Sequence, residues 1–259
     1  MGKRYDFANI LLAGPCNLRC PCCIGRQVDP ALNRDNLDEF PLRNLDAFLA
    51  LLRRHRVDQV VLTGTTTDPQ LYRHEAHLLG RLREQLPGVR ISLHTNGQLA
   101  LKKLDVFNRY DRVAISLPSF APDTYEQMTG SRRVPDLQEI LRLARVPVKV
   151  SCLIDSPNAG QLDTLLARCC ELGIRRVVLR QLYGDARRWA FPAALVPVGG
   201  YRGNPVFDYR GVEVTYWNFG DSTSTSLNLF SDGTISAEYL LTRAEGKGQG
   251  AGGKERGNG

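Results

Sequence analysis

The feature that most narrows the fold is a rhythm. Between residues 7 and 182, short runs rich in β-branched and apolar residues alternate with longer amphipathic stretches. That is the pattern of repeated βα units around a parallel sheet. Strands are predicted over residues 9–13, 59–63, 90–95, 112–117, 148–155 and 176–182, and helices over 42–56, 70–85, 99–108, 136–144 and 159–172. Glycine and proline punctuate them at Pro41, Pro87-Gly88, Gly97, Pro147 and Gly173.

The predicted strands also differ by face, because alternate residues point to opposite sides of a sheet. Val60, Leu62, Ile91, Leu93, Val113, Ile115, Val150, Cys152 and Ile154 form an apolar set that should pack under the helices. The other set holds Thr63, Ser92, His94, Ser116, Ser151 and Asp155, which is very polar for a parallel sheet covered on both faces. An open barrel with a wet interior and chemistry at the C-terminal strand ends accounts for it. Hydroxyls bonded to nearby backbone are the alternative.

Past residue 182 the rhythm changes. Residues 212–218 and 226–230 read as strands, and Ser231-Asp232-Gly233 as a hairpin turn into a strand over 234–240. The fold expected is α/β: a partial (β/α)6 barrel over residues 1–185, a small β-rich C-terminal extension over 186–243 and a disordered Gly-rich tail over 244–259. With 259 residues, of which 42% are hydrophobic, there is enough chain for one large domain with such an extension.

Charge and apolar runs bound the partners. Formal net charge is +7, but the glycine-rich residues 246–259 supply +2 of it through Lys247, Lys254 and Arg256 against Glu255. Solvated helix faces account for the arginine doublets 53–54, 132–133, 175–176 and 187–188, so no nucleic-acid surface is expected. The apolar run from Ile10 to Ala13 is too short for a signal-peptide core or a membrane span, and a cytoplasmic protein without membrane contact is expected.

Seven cysteines are present, and four crowd into eight residues as Cys16-Asn-Leu-Arg-Cys20-Pro-Cys22-Cys23, a C-x3-C-x2-C spacing in the loop after the first predicted strand. Such crowding suits metal binding better than a disulfide framework. Three thiolates on a four-iron cluster leave one iron without a protein ligand, and that iron is a substrate site. Structural zinc needs a fourth ligand, which only Cys22 could supply in an irregular knot. Cys152, Cys169 and Cys170 read as buried small hydrophobes.

From Gly14 to Cys23 the sequence resembles the CxxxCxxC loop of the radical S-adenosylmethionine (SAM) superfamily. The resemblance implies a [4Fe–4S] cluster on Cys16, Cys20 and Cys23, with SAM chelated to the open iron. It implies a flavodoxin- or ferredoxin-type electron donor, cleavage of SAM to a 5′-deoxyadenosyl radical, and hydrogen abstraction from a small-molecule or peptide substrate. The family position before the third cysteine is usually aromatic; here it is Cys22, so Cys22 and Cys23 remain exchangeable as ligand.

The resemblance runs to about residue 182. Thr63-Gly-Thr-Thr-Thr-Asp-Pro-Gln-Leu71 stands where the family has a Gly-Gly-Glu-Pro segment on the SAM amino group. Either Asp68 replaces the glutamate, or the hydroxyls and backbone of Thr65, Thr66 and Thr67 do that work; an N-cap aspartate in a plain loop is the third possibility. His94-Thr-Asn96-Gly97 resembles the family's Thr-Asn-Gly turn, and Ser116 stands where a ribose contact is common. Ser151, Asp155 and Gln181 could complete the SAM surroundings or face substrate.

No cysteine follows Cys170, so auxiliary clusters such as those of peptide-maturing members and the molybdenum-cofactor cyclase find no ligands in these residues, and no cobalamin domain is recognisable. Arg180, Arg187 and Arg188, toward the C-terminal side of the last barrel strand, suggest an anionic substrate unless Asp185 or water satisfies them. Tyr201, Tyr209, Tyr216 and Trp217 of the extension would cover the mouth. A glycyl-radical activating enzyme acting on a partner protein is a second reading, and a noncatalytic metal- or nucleic-acid-binding protein a third.

Overall fold

The computed structural model describes residues 5–241, so the tail expected over 244–259 lies outside the described residues. Six parallel strands follow one another in space as in sequence: β1 (Phe7–Leu12), β2 (Gln59–Gly64), β3 (Arg90–Thr95), β4 (Arg112–Ser116), β5 (Val148–Ile154) and β6 (Arg176–Gln181). Their crossovers carry α1 (Leu45–Arg54), α2 (Glu75–Gln85), α3 (Leu104–Phe107), α4 (Pro122–Thr129), α5 (Leu137–Leu143), α6 (Ser156–Ala159) and α7 (Leu162–Glu171). In α1 the buried residues Leu45, Phe48, Leu49 and Leu52 recur at i, i+3, i+4 and i+7, the stripe that lays a helix on a sheet.

The chain then adds strands to both edges of the same sheet. β7 (Val196–Tyr201), β8 (Asn204–Tyr209) and β9 (Val212–Trp217) extend it from β6, with β9 parallel to β6. β10 (Ser226–Leu229) runs parallel to β1, and β11 (Ile235–Ser236) turns back along it. The order β11-β10-β1-β2-β3-β4-β5-β6-β9-β8-β7 never closes, so the fold is a partial (β/α)6 barrel whose rims are continued by the C-terminal strands.

Register divides the sheet into two faces. Ala8, Ile10, Leu12, Val60, Leu62, Ile91, Leu93, Val113, Ile115, Val150, Cys152, Ile154, Val177 and Leu179 are at most 1% exposed and share one core with the helices. Burying each large aliphatic side chain stabilises by roughly 1.5–3 kcal/mol, so this face anchors the fold. The opposite parity carries Asn9, Thr63, Ser92, His94, Ser116, Lys149, Ser151 and Arg180, the interior of the open barrel.

Several predicted elements change extent. The helix predicted over 99–108 is helical only at Leu104–Phe107 after consecutive turns, and the one over 70–85 begins at Glu75 after a 3-10 turn at Pro69–Leu71. Lys103 ties these two segments together, donating to Gln70 O at 2.7 Å and pairing with buried Glu75. The strand predicted over 234–240 pairs only at Ile235–Ser236; beyond it Glu238 N donates to Ser236 Oγ at 3.0 Å, and the chain turns to bring Tyr239 onto Asn9. α4, β7 and β8 were not predicted. The β7–β8 hairpin is dense in Pro and Gly, which read as loop, yet Arg202 and Gly203 have φ of 51° and 81° and make the two-residue turn that suits a hairpin.

Candidate functional site

The four clustered cysteines sit in the loop after β1, at the C-terminal end of the parallel strands. This loop is tied to the next strand by the threonines that follow β2. Thr65 Oγ1 donates to Leu12 O at 3.3 Å, Gly14 N donates to Thr66 Oγ1 at 3.2 Å, and Thr67 Oγ1 donates to Pro15 O at 2.6 Å. Arg19 N donates to Thr129 O at 2.8 Å, fastening the loop's middle to the end of α4. After Cys23 the chain packs so tightly on β2 that a Cβ on Gly25 would lie 2.2 Å from Thr65 O.

All seven cysteines are free thiols. Burial pushes the Cys20 thiol up to about 11, and the neighbouring Cys23 and Cys16 push it the same way, with Cys22 contributing least. Cys16 is likewise raised, by burial first and then by Asp68 and Cys23. The three therefore act on one another as a group that a cationic iron core would relieve, one thiolate per iron, so the residues fit a [4Fe–4S] cluster. No set of three His, Cys, Asp or Glu side chains among the described residues is drawn together around a single ion.

Cys22 belongs elsewhere. Its Sγ donates to Asp155 Oδ2 at 3.0 Å, past the end of β5, while Cys23 Sγ donates to Thr65 O at 3.3 Å. Asp155 also accepts Arg187 at 2.7 Å, and Arg187 pairs with Asp185 at 2.8 Å and bonds Ser156 Oγ at 2.8 Å. These partners hold the Asp155 carboxyl below its ordinary value against the effect of burial. The pairing of Arg187 with Asp185 was one of the alternatives open in the sequence, whereas the bonds from Cys22 and Arg187 to Asp155 were not foreseen.

Asp68 is 3% exposed, and its carboxylate is engaged within the protein. It accepts Gln70 N at 2.9 Å, Thr95 Oγ1 at 2.8 Å and Asn96 N at 2.6 Å, clamping the loop after β2 to the end of β3. Asn96 in turn donates from Nδ2 to Asn17 Oδ1 at 2.7 Å, within the cysteine loop. Thr65, Thr66, Asp68 and Asn96 thus meet at one place, beside the cysteines.

Ser116 and Ser151 are register partners at the barrel mouth. Gln181 lies apart: it faces the helix side with Ile154, and its amide is taken up by Tyr216 OH at 2.7 Å and by the carbonyls of Asp185 and Arg187. Of the extension's aromatics, Tyr209 is fully buried against Asp163, Tyr201 is exposed on β7, and Tyr216 meets Phe191 edge to face at 4.8 Å. The barrel interior holds two cations that sequence reasoning treated unequally: Arg180 was singled out, and Lys149 was missed although it follows the inward parity of β5.

The family model of the radical SAM superfamily matches residues 10–153. Curated relatives include the GTP 3′,8-cyclase of Streptomyces coelicolor, 29% identical over 199 residues covering 72% of this chain and 56% of that protein. The corresponding enzyme of Stenotrophomonas maltophilia is 28% identical over 56% of this chain and 43% of its own length. The chain thus spans about half the length of these relatives. Among solved structures, Streptococcus suis SuiB bound to the precursor peptide SuiA superposes with a TM-score of 0.57 at 17% identity, over 69% of this chain and 40% of SuiB. SuiB bound to S-adenosylmethionine gives 0.53 at 15% identity, over 72% and 41%.

Proposed function

The chain belongs to the radical SAM superfamily, and on that premise we propose that it reductively cleaves SAM and abstracts hydrogen from an anionic small-molecule or peptide substrate held in the barrel. The observation that carries this reading is the grouping of Cys16, Cys20 and Cys23 at the C-terminal strand ends while Cys22 is occupied by Asp155. Bound there, a [4Fe–4S] cluster and SAM supply a 5′-deoxyadenosyl radical able to attack an unactivated C–H bond, and the protein supplies orientation and shielding.

Each residue then has a task. Cys16, Cys20 and Cys23 hold the cluster, and the exposed side of the loop at Pro15, Cys16 and Asn17 gives a flavodoxin- or ferredoxin-type donor its approach. Because Asp68 is consumed as a clamp, the backbone of Thr65–Thr67 is the better partner for the SAM ammonium, and Asp68 and Asn96 position it. Ser116 and Ser151 offer hydroxyls to the ribose. The Gln181 amide braces the segment carrying Asp185 and Arg187 over the mouth.

GTP, the substrate in the relatives' names, is one anionic candidate. The reaction is tested by turnover of deuterium-labelled candidate anions, GTP included, with the reduced, reconstituted protein. Deuterium in 5′-deoxyadenosine identifies the substrate. Its absence across carboxylates, phosphates and peptides, while SAM is still cleaved, removes the proposed substrate class.

A further inference from the structure

Among the described residues, two cations of the barrel interior form no ion pair. Lys149 on β5 and Arg180 on β6 both lie on the inward parity, as does His94, which is level with Lys149 through Ala114 of β4. Among the described residues none of the three makes a salt bridge, whereas twelve other arginines and Lys103 do. The guanidinium carbon of Arg180 lies 5.4 Å from the centre of the Phe219 ring, and Tyr239 also acts on it.

The charges are felt throughout the chamber. Burial, then Arg180, Arg176 and Arg112, pulls the Lys149 ammonium down to about 8 against a small opposing effect of Glu213. Burial followed by Lys149 and Arg180 holds the His94 imidazole well below its ordinary value. Removing charge from water without a counter-charge is costly, and proteins normally supply a carboxylate. Among the described residues no carboxylate pairs with either half-buried cation, and Glu213, which pairs with Arg176, acts on Lys149 only weakly.

Neutral polar groups add to the vacancy in partners. Ser92, 5% exposed and two residues from His94 on the same face, has a buried hydroxyl oxygen with no hydrogen-bond partner. Trp217, the register partner of Arg180, has a buried indole N–H that is also unpartnered. Phe219 lies 6.0 Å ring to ring from Tyr239, whose OH accepts Asn9 Nδ2 at 3.0 Å. Arg187 cannot serve the same purpose, because Asp155 and Asp185 already neutralise it.

We infer that Lys149, near the start of β5, and Arg180, near the end of β6, with His94 and Trp217, line the subsite inside the barrel that receives an oxyanion group of the substrate, phosphate or carboxylate. This rests on reading the barrel as the substrate chamber, and it assigns the anion to Lys149 and Arg180 rather than to Arg187.

The test uses the anaerobically reconstituted full chain with SAM and two probes, inorganic pyrophosphate and citrate, which separate phosphate from carboxylate recognition. Saturable binding of at least one probe by calorimetry is expected, weakened about tenfold or more in Arg180→Gln or Lys149→Gln, since a charged hydrogen bond is lost. A second measurement needs no variant. Amine acylation mapped by mass spectrometry should be blocked at Lys149 by the bound probe and unaffected at exposed Lys102. No saturable binding of either probe, unchanged affinity in both variants, or no protection of Lys149 overturns the inference. SAM cleavage is assayed in parallel. Cleavage without probe binding removes this inference alone, and probe binding without cleavage removes the radical reading instead.

Discussion

Cys22 and Cys23 are adjacent in sequence and face different partners, and the hydrogen bond from Cys22 to Asp155 is what separates them. Cys22→Ala should therefore keep its iron after anaerobic reconstitution and Cys23→Ala should lose it. Iron analysis of the two single variants decides the matter, and the reverse pattern would make Cys22 the ligand. The spacing of the cysteines made this loop legible, but spacing could not tell two neighbours apart, because the choice depends on a carboxylate 133 positions away. Asp68 illustrates the same limit. A carboxylate at a strand end looks alike in sequence whether it grips a ligand or clamps two loops. Its three internal donors predict that Asp68→Ala lowers stability by about 1–3 kcal/mol in urea unfolding. Unchanged stability with greatly weakened SAM binding would return it to the ligand.

At the scale of elements, the apolar and polar parities of β2 to β5 were readable because helices cover one face and the barrel interior lies on the other. The additions β7 and β8 were not readable, since their hairpin is written in residues that elsewhere mark loops. Tight seams between elements were also hidden. The 3-10 turn Ile24–Arg26 rests on the end of β2, and Gly25→Ala would drive a methyl group into Thr65 O. A cost of about 1–3 kcal/mol is expected from such overpacking. Because Cys23 lies two residues earlier and bonds the same carbonyl, iron retention should fall with it. A Gly25→Ala protein with parental melting temperature and full iron would show that this seam does not set the position of Cys23.

For the whole molecule, the C-terminal strands belong to the sheet that carries the site. β10 pairs with β1, the strand leading into the cysteine loop, and β9 pairs with β6, which carries Arg180. A chain ending at residue 185 would bare both edges, and it should be insoluble or molten where the full chain melts cooperatively; a cooperative thermal transition in that truncation would make residues 1–185 an independent domain. None of the described helices is long and apolar enough to cross a membrane. Whether these strands present a cluster on Cys16, Cys20 and Cys23 for SAM cleavage is decided by one experiment. It reads the yield of 5′-deoxyadenosine when the anaerobically reconstituted and chemically reduced chain is incubated with SAM. A protein with about four irons per chain that forms 5′-deoxyadenosine and methionine in equal amounts is expected, with no product from the Cys16→Ala, Cys20→Ala, Cys23→Ala triple variant. An iron-loaded, reduced chain that leaves SAM intact, or a triple variant that cleaves it as well as the parent, would mean that these cysteines do not hold a SAM-cleaving cluster.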